Sequence, residues 1–498
     1  MRTMKKMNLF DRVLQASKKA PKKIAINFEG LEISYLQFIK NIELVSTLFY
    51  LKQLKKGDRV IWLGQNDPKA IETFFACAKL GLIFIPINWR LSFEEVNEIL
   101  EHSKPSFIIY QTTEFAENIQ DSEVLTCHCE ELYYHHLESE RSKPEETVSI
   151  NDAVLISYTS GSTGEPKGVL ISQDAILCNS EMSVEAHSLQ SSDKVLNVLP
   201  ICHVGGLNIL VTSGLLIGAS VYLHRSYDLN KVMVDLTVVN CAIFVPKILQ
   251  EILEDSRFAF SDLTQLRVIS IGSTIVPLEL IKRTLSLGLN LVQLYGSTEV
   301  TPFAIHQRPH TSKSSVGSIG TPGAYCEIKL ISESGEEVME GELGEICVKG
   351  RSTFLKYFDD KKQVFDNGWF KTGDLARKDI HGNYWFVDRI KNIIISGGEN
   401  IFPQQIESLF IRSFQYEVVA VIAKNDPEWG EVPVIFVEGE SSNEIDFLGH
   451  ESWNTIAGFK RPRGLKFLKK FPRNNMGKID YNKLRLLADK MNISDISL

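Results

Sequence analysis

Short apolar runs rich in β-branched and aromatic residues alternate with helical segments along the first part of the chain. Four runs, at residues 59–63, 84–87, 106–110 and 153–156, predict buried strands, and residues 69–80 predict a helix between two of them. Strands that alternate with helices are typical of layered folds with parallel sheets. The pattern therefore predicts an α/β protein.

The pattern changes toward the C-terminus. Residues 341–348 and 382–387 form short apolar stretches separated by turn residues, which is typical of antiparallel strands. We expect a smaller C-terminal unit to begin just after Arg389, which gives predicted domains of residues 1–390 and 391–498. Residues 113–148 are rich in Glu, Ser and His, and we interpret them as a connection between two α/β blocks.

Length and charge restrict the class of protein. A chain of 498 residues exceeds the size at which one hydrophobic core stops growing, so at least two structural units are expected. The net charge of -8 provides no overall attraction for nucleic acid. A local basic strip of Lys460, Arg461 and Arg463 is nevertheless suited to a phosphorylated ligand. We therefore expect no nucleic-acid partner.

The apolar segments give no sign of a membrane protein. Residues 1–8 are followed by no apolar secretion segment, and residues 9–20 predict an ordinary first helix. The most apolar run, residues 195–223, is interrupted by Asn197, His203, Asn208 and several glycines, which favours buried strands and loops over a span. We expect a cytoplasmic protein without a transmembrane segment.

The eight cysteines are scattered along the chain, which favours reduced thiols over a disulfide framework. Cys127, His128 and Cys129, followed by His135 and His136, are candidate zinc ligands. Their C-x-C spacing differs from the C-x2-C of zinc knuckles, however, and the surrounding stretch is rich in Glu. A surface excursion is therefore favoured over a metal site.

The strongest chemical signal is the sequence Tyr-Thr-Ser-Gly-Ser-Thr-Gly-Glu-Pro-Lys-Gly at residues 158–168, directly after an apolar run. Small residues let backbone N–H groups and hydroxyls surround a phosphate, and a lysine adds a point charge. The segment is not a Walker loop, because Glu165 and Pro166 precede Lys167 and no Ser or Thr follows it. The candidate phosphate-binding residues are Thr159, Ser160, Gly161, Ser162, Thr163, Gly164 and Lys167.

This segment, together with several later ones in the same order, resembles the adenylate-forming superfamily of acyl-CoA synthetases, peptide-synthetase adenylation domains and firefly-type luciferases. The resemblance covers nearly the whole chain. It implies a large N-terminal domain of layered α/β sheets with a β-barrel-like part, and a small, mobile α+β C-terminal domain. It also implies an enzyme that uses ATP and Mg²⁺ to convert a carboxylic acid to its acyl-AMP. The acyl group then passes to a thiol, with coenzyme A as the co-substrate.

The second motif of the resemblance is Leu-Tyr-Gly-Ser-Thr-Glu at residues 294–299. It implies that Tyr295 stacks on adenine, that Thr298 meets the α-phosphate and that Glu299 helps to hold magnesium. An aromatic face suits a purine, and a carboxylate suits a hard cation that bridges phosphate oxygens. The resemblance adds further ATP-binding residues: Gly272, Ser273, Thr274 and Gly296.

Three further segments carry expected roles in the reaction cycle. By resemblance, Asp374 accepts hydrogen bonds from the ribose and Arg389 contacts the ribose or a phosphate. Lys391 is the expected hinge about which the C-terminal domain rotates between the two half-reactions. The residues expected to line the tunnel for the pantetheine arm are Ser396, Gly397, Gly398 and Glu399.

The remaining catalytic residues are also implied by the resemblance. Lys478, in Pro-Arg-Asn-Asn-Met-Gly-Lys-Ile-Asp, matches the mobile lysine that contacts the substrate carboxylate and the α-phosphate during adenylation. His203 lies in residues 200–206, here named the histidine segment, and is expected near the acyl carboxylate and the incoming thiol. The residues expected near the acyl pocket are Phe244, Val245, Lys247, Ile248 and Ser273.

The identity of the acid stays open between alternatives. The Asn-Trp-Arg-Leu-Ser stretch at residues 88–92 and the lack of an attached carrier domain favour an acyl-CoA synthetase of the fatty-acid type. A medium or long fatty acid is the first expectation, and an aromatic acid is the second. A ligase that loads a carrier protein, a nucleotide-binding protein without activity and a homodimer also remain open.

Overall fold

The computed structural model describes residues 7–112, 124–133, 147–160, 166–309, 313–360, 363–440, 447–473 and 479–491. Contacts divide the chain into two compact units. The first unit comprises Met1–Ile328, Val348–Phe370 and Gly382–Tyr384, and the second comprises Lys329–Cys347, Lys371–His381 and Trp385–Leu498. The predicted boundary at residues 390 and 391 stays a prediction.

Polar residues at the helix ends explain where the helices begin. Asp67 caps α3 by accepting the N–H of Lys69, and Pro68 occupies the first turn, where its missing N–H costs nothing. Ser92 and Glu95 form a reciprocal capping box at the start of α4. Within the described residues the α-helices are α1 Leu9–Lys19, α2 Tyr35–Leu51, α3 Pro68–Leu80, α4 Phe93–Ser103, α5 Gln173–His187, α6 Ser213–Ile217, α7 Leu229–Asp235, α8 Pro246–Glu254, α9 Leu278–Ser286, α10 Pro403–Phe414 and α11 Tyr481–Asp489.

The first unit contains two large sheets. Along one of them the described strands lie in the order β15 Thr321–Pro322, β14 Ile305–His306, β13 Leu291–Tyr295, β12 Val268–Gly272, β11 Cys241–Phe244, β9 Lys194–Asn197, β10 Ser220–Leu223, β1 Ile24–Phe28 and β2 Leu31–Ser34. Along the other the order is β18 Lys356–Tyr357, β8 Pro166–Ser172, β7 Ala153–Ser160, β4 Ile83–Ile87, β3 Arg59–Leu63, β5 Phe107–Tyr110 and β6 Leu125–His128. We name them the first and the second sheet.

Two smaller sheets follow in the chain. The third has the order β16 Cys326–Ile331, β17 Gly344–Gly350, β20 Trp369–Lys378 and β19 Phe365–Asp366, and β21 Tyr384–Arg389 pairs with β20. The fourth, in the second unit, has the order β23 Glu399–Ile401, β22 Ile394–Ser396, β25 Gly430–Glu438 and β24 Val419–Asp426, and β26 Gly464–Leu468 pairs with β25. Phe410 and Trp453 are buried in the core beside the fourth sheet.

The predicted α/β alternation is confirmed. The runs at residues 59–63, 84–87, 106–110 and 153–156 overlap β3, β4, β5 and β7 of the second sheet, and the predicted helix is α3. The predicted connection differs in part, because β6 pairs in parallel with β5 and extends this sheet. The apolar run at residues 195–223 contains β9, a π-helix at Gly205–Thr212, α6 and β10. Among the helices that the structure describes, none combines the length and apolar character needed to cross a bilayer.

Candidate active site

Four predicted site segments follow neighbouring strands of the first sheet. The histidine segment follows β9, Val245 follows β11, Ser273 follows β12 and Gly296 follows β13. Strands β9, β11, β12 and β13 are mutually parallel neighbours. Their carboxyl ends therefore meet at one edge of the sheet, which is where open α/β sheets bind ligands.

Two glycines allow close backbone approach at this edge. A Cβ on Gly272 would lie 2.5 Å from the carbonyl oxygen of Leu294, and one on Gly296 would lie under 3.0 Å from the backbone of Pro302 and Phe303. Ser273 adopts a left-handed φ of 73°, which is strained for a residue with a side chain. Thr298 and Glu299 lie in a short 3-10 helix, Thr298–Val300. These turns are therefore held by backbone packing.

The histidine segment is held by a residue that the sequence analysis missed. Asn66, which is 3% exposed, donates to the carbonyls of Leu199 and His224 at 3.0 and 2.9 Å and accepts the N–H of Ile201 at 2.8 Å. These contacts hold the backbone at residues 199–201, just before His203, whose side chain is half-buried. Asn66 follows β3 within the polar triplet at residues 65–67, and no motif singles it out.

Neighbouring glycines in the histidine segment have opposite surroundings. A Cβ on Gly206 would lie well under 3.0 Å from the carbonyl oxygen of Pro200, so the backbone requires glycine there. A Cβ on Gly205 would meet only Cδ1 of Ile209, at 3.8 Å. The backbone therefore does not require glycine at position 205, and the space at its Cβ position is open.

The first phosphate motif is a β-hairpin in the described residues. Thr159 and Ser160 end β7, Lys167 lies in β8, and Thr159 is paired with Lys167. The hydroxyl of Thr159 donates to the carbonyl of Lys167 at 3.5 Å. Gly161, Ser162, Thr163 and Gly164 lie outside the described residues, so their predicted phosphate contacts stay predictions. Lys167 itself belongs to a strand, and its predicted phosphate contact also stays a prediction.

Glu299 has the character of a cation ligand. Its Oε1 accepts the Tyr357 hydroxyl at 2.9 Å, and no Lys, Arg or His in the described ranges forms an ion pair with it. The hydroxyl of Ser297 in the same turn is buried without a hydrogen-bond partner among the described residues. One carboxylate with a free oxygen, beside unused polar groups, fits Mg²⁺, which binds through one or two carboxylates plus substrate phosphates. The residues present therefore fit the ion.

In the second unit the structure brings Asp374 and Arg389 together. Oδ1 of Asp374 lies 3.0 Å from Nε of Arg389, and Asp374 is 3% exposed. The backbone beside Asp374 is fixed because the Gly373 N–H donates to Glu345 at 2.9 Å and the Asp374 N–H donates to Thr372 at 3.1 Å. The predicted ribose and phosphate contacts of this pair stay predictions.

The predicted hinge residue lies beside a buried carboxylate that the sequence analysis did not select. Asp388 accepts the Arg389 N–H at 2.7 Å, the Asn392 amide at 3.4 Å and the Gln404 N–H at 3.1 Å. Lys391 lies between these contacts in a 3-10 helix, Ile390–Asn392. Burial lowers the pKa of Lys391, and it raises the pKa of Asp388. One carboxylate thus joins both ends of residues 389–404.

The predicted tunnel residues form a tight β-hairpin. Ser396 ends β22 and pairs with Glu399 in β23, and Gly397 and Gly398 form the turn with φ of 57° and 86°. Such angles suit glycine. A Cβ on Gly397 would also lie 2.9 Å from the ring of Trp429. The structure therefore gives these residues a tight hairpin turn, and their predicted contact with the pantetheine arm stays a prediction.

The other predicted residues have varied surroundings. Phe244 is buried at the end of β11, whereas the Lys247 side chain is 60% exposed and lies 4.0 Å from Glu251. Lys478 lies outside the described residues, as do His135 and His136. Burial raises the pKa of the Cys127 thiol to about 11 and that of Cys129 to about 12. Within the described ranges no group of three or more metal-ligating side chains is found.

Comparison with known proteins identifies the family. Residues 13–358 match the AMP-binding enzymes. The indoleacetate–CoA ligase of Aromatoleum aromaticum is 35% identical over 488 residues, which cover 94% of this chain and 96% of that enzyme. The feruloyl-CoA synthase of an Amycolatopsis species is 32% identical over 477 residues, which cover 94% of this chain and 96% of that enzyme.

Solved structures agree with this family. The o-succinylbenzoate CoA synthetase of Bacillus subtilis in complex with its acyl-adenylate has a TM-score of 0.87 at 27% identity, covering 96% of this chain and 98% of that chain. The same synthetase with ATP and magnesium has a TM-score of 0.85 at 27% identity, covering 95% and 98%. The chain belongs to the AMP-binding family of adenylate-forming enzymes. It is an AMP-forming acid–thiol ligase that uses ATP, Mg²⁺ and coenzyme A.

Proposed function

We propose that this enzyme joins an aromatic carboxylic acid to coenzyme A. The observation that carries the proposal is the chemistry named for its relatives. The relatives at 35%, 32% and 30% identity are named for indoleacetate, feruloyl and 2-succinylbenzoate, which all carry an aromatic ring. The aromatic acid, second in the sequence analysis, is therefore favoured over the fatty acid.

The open space beside Gly205 supports a bulky acyl group. Its Cβ position is 3.8 Å from the nearest atom, Cδ1 of Ile209, and it lies two residues after His203. The neighbouring Gly206 is fixed by backbone packing, so the opening is held in place. A fixed opening suits a flat, rigid ring, which loses little conformational freedom on binding.

The first half-reaction forms the acyl-AMP. A carboxylate oxygen of the acid bonds to the α-phosphorus of ATP, and pyrophosphate leaves with the electron pair of the broken P–O bond. Because both reactants are anions, the reaction needs positive charge where negative charge develops. Lys167 supplies it, since no carboxylate in the described ranges pairs with its ammonium group. Magnesium held by Glu299 would neutralise phosphate oxygens.

The second half-reaction transfers the acyl group to an external thiol. The thiol loses its proton to solvent, its sulfur bonds to the acyl carbon, and AMP leaves with the electron pair of the broken acyl C–O bond. Burial raises the pKa of Cys202, next to His203, to about 12, so this thiol stays protonated near neutral pH. The enzyme's own neighbouring cysteine is therefore unsuited as the acceptor.

A basic strip in the second unit supports coenzyme A as the source of that thiol. Arg461 and Arg463 are exposed, and Lys460 is half-buried. Lys460 contacts the Gln405 amide at 3.1 Å and Arg461 contacts the Asn454 amide at 3.1 Å, both neutral groups. None of the three forms an ion pair with a carboxylate in the part of the chain that the structure describes. Cations without a protein counter-ion suit the phosphates of coenzyme A.

The test is pyrophosphate release from ATP with indoleacetate, ferulate, 2-succinylbenzoate and phenylacetate against octanoate and palmitate. Each acid is assayed with and without coenzyme A, and the masses of the products are measured by mass spectrometry. We expect acyl-CoA and AMP, with kcat/KM about 10-fold or more higher for an aromatic acid than for either fatty acid. A preference for a fatty acid would overturn the acid assignment. Acyl-AMP without acyl-CoA would favour a carrier protein as acceptor.

A Gly205→Val variant tests the role of the open space. Its side chain would fill the open space at position 205, so kcat/KM for the best aromatic acid should fall roughly 10- to 100-fold. Activity with propionate, assayed as the small control acid, should change less than about 3-fold. An equal loss with both acids would show that residue 205 does not act through acid size.

A further inference from the structure

One side chain contacts two separate nucleotide motifs. The Tyr357 hydroxyl donates to Oε1 of Glu299 at 2.9 Å. The ammonium group of Lys167 lies over the ring of the same tyrosine, 5.8 Å from its centroid. Tyr357 thus links the predicted magnesium ligand to the lysine of the first phosphate motif.

The backbone around Tyr357 is fixed to both motifs as well. Tyr357 pairs with Val169 in the strand that contains Lys167, and the Phe358 N–H donates to the carbonyl of Gly168 at 2.7 Å. On the other side, the Phe354 N–H donates to the carbonyl of Glu299 at 2.8 Å. The backbone on either side of Tyr357 is therefore bonded to the same two segments, around Lys167 and Glu299, that its side chain contacts.

We propose that Tyr357 is a positioning residue, whose hydroxyl orients Glu299 for the metal ion of the nucleotide and whose ring orients Lys167 for a phosphate. The hydroxyl occupies Oε1 of Glu299, which leaves Oε2 for a cation. Hydrogen bonds from outer groups commonly fix the orientation of metal-binding carboxylates and raise their affinity.

The ring has a separate effect. An aromatic face attracts an ammonium group within about 6 Å, which restricts the long lysine side chain to one region. Unlike a carboxylate, the ring does not neutralise the lysine, so the full charge remains for a phosphate. Tyr357 therefore orders an anion and a cation without pairing them with each other.

Two substitutions separate these effects. Tyr357→Phe removes the hydroxyl and keeps the ring, whereas Tyr357→Leu removes both. The matched control is Tyr227→Phe, because Tyr227 donates a similar bond of 3.0 Å to Glu251 outside the site. Folding of each variant is verified by its thermal transition.

The measured quantities are two dissociation constants. Mn²⁺ binding to the enzyme with α,β-methylene-ATP, which cannot be cleaved at the bond that breaks in the reaction, is followed by electron paramagnetic resonance. Binding of the same analogue in the presence of EDTA is followed by calorimetry. Tyr357→Phe should weaken Mn²⁺ binding about 10-fold and leave metal-free nucleotide binding unchanged. Tyr357→Leu should weaken the metal-free binding in addition, by about 3-fold.

Wild-type Mn²⁺ affinity in Tyr357→Phe, or an equal loss in Tyr227→Phe, would overturn the role of the hydroxyl. Equal metal-free nucleotide binding in Tyr357→Phe and Tyr357→Leu would overturn the role of the ring. Neither measurement needs an acid, so its failure is distinguishable from failure of the aromatic-acid proposal.

Discussion

The turns at the edge of the first sheet and the segment at residues 389–404 of the second unit are both held in one conformation, but by different means. At the sheet edge, Gly206, Gly272 and Gly296 pack so closely against backbone that no Cβ fits. In the second unit, the Asp388 carboxylate holds the segment through three hydrogen bonds. Close packing of the backbone is lost only when the local fold is disrupted. Hydrogen bonds to one carboxylate, in contrast, can be exchanged for bonds to other partners. The second arrangement suits a segment that is expected to change conformation.

The largest expected effect comes from breaking the close packing. In Gly206→Ala the new Cβ would lie well under 3.0 Å from the carbonyl oxygen of Pro200, so the histidine segment must shift. We expect a loss of about 3 kcal/mol in the free energy of unfolding. Displacement of His203 should lower the adenylation rate about 100-fold. Denaturant unfolding and pyrophosphate release measure the two effects.

The control for this variant is Gly205→Ala. Its Cβ meets nothing closer than 3.8 Å, so the free energy of unfolding should change by less than about 0.5 kcal/mol. Equal stability of the two alanine variants would show that the turn yields to a side chain and is not fixed by packing.

The next effect comes from removing the carboxylate. Asp388→Ala leaves the part-buried N–H groups of Arg389 and Gln404 without their acceptor, which should cost about 2 kcal/mol of stability. Because the segment contains the predicted hinge, acyl transfer to coenzyme A should slow about 10-fold while adenylation changes little. Single-turnover measurements of each half-reaction test this difference.

Asp228→Ala is the matched control, because Asp228 also accepts two backbone N–H groups, from Asn230 at 2.9 Å and Lys231 at 3.3 Å, at the start of α7. It should lose comparable stability without distinguishing the half-reactions. If Asp388→Ala slows both half-reactions equally, Asp388 acts on stability alone.

These two regions also differ in how far the sequence predicts them. The sheet edge follows from local patterns, because apolar runs mark the strands and glycine-rich motifs mark the turns after them. Carboxyl ends of adjacent parallel strands meet at one edge, so the motifs converge without further information. The role of each glycine was not predictable, since Gly205 and Gly206 are adjacent and differ only in what lies opposite them.

The missed residues act through contacts that are distant in the sequence. Asn66 reaches Leu199 and His224, and Tyr357 reaches Glu299. Neither has a local signature, because an asparagine after a strand or a tyrosine within one is common and its partner is set by the fold. The sequence therefore identifies candidate ligand-binding residues better than the residues that hold them in place.

A smaller effect per pH unit should appear in the pH dependence of the stability of each unit. Burial raises the pKa of Glu407 in the second unit to about 8, and it raises that of Glu72 in the first unit to about 8. Between the ordinary value of 4.5 and about 8 the folded state binds a proton that the unfolded state has lost. Stability is therefore present at low pH and falls as the pH rises, by about 1 kcal/mol per pH unit for each group.

Glutamine substitutions distinguish the pH dependence of the first unit from that of the second. In the structure the Val421 N–H donates to Glu407 at 2.8 Å. Glu407→Gln keeps an oxygen that can accept this bond, but the glutamine side chain cannot ionise. Hydrogen exchange, corrected for the intrinsic exchange rate, should then show that the second unit no longer becomes less stable between pH 5 and 8. The first unit should still become less stable over this range. Glu72→Gln should give the reverse. A slope that survives in both variants would assign the pH dependence to other groups.

The smallest effect concerns strain at the sheet edge. Ser273 holds a φ of 73°, and Ser273→Gly would remove the cost of placing a Cβ there. The greater freedom of glycine in the unfolded chain opposes this gain, so we expect a net increase in unfolding free energy below about 1 kcal/mol. A more flexible turn should raise the KM for ATP by about 2-fold, measured by pyrophosphate release. An unchanged KM with higher stability would mean that the strain at Ser273 is a cost of the fold and not part of the nucleotide site, because the turn is then held by Gly272 and Gly296 alone.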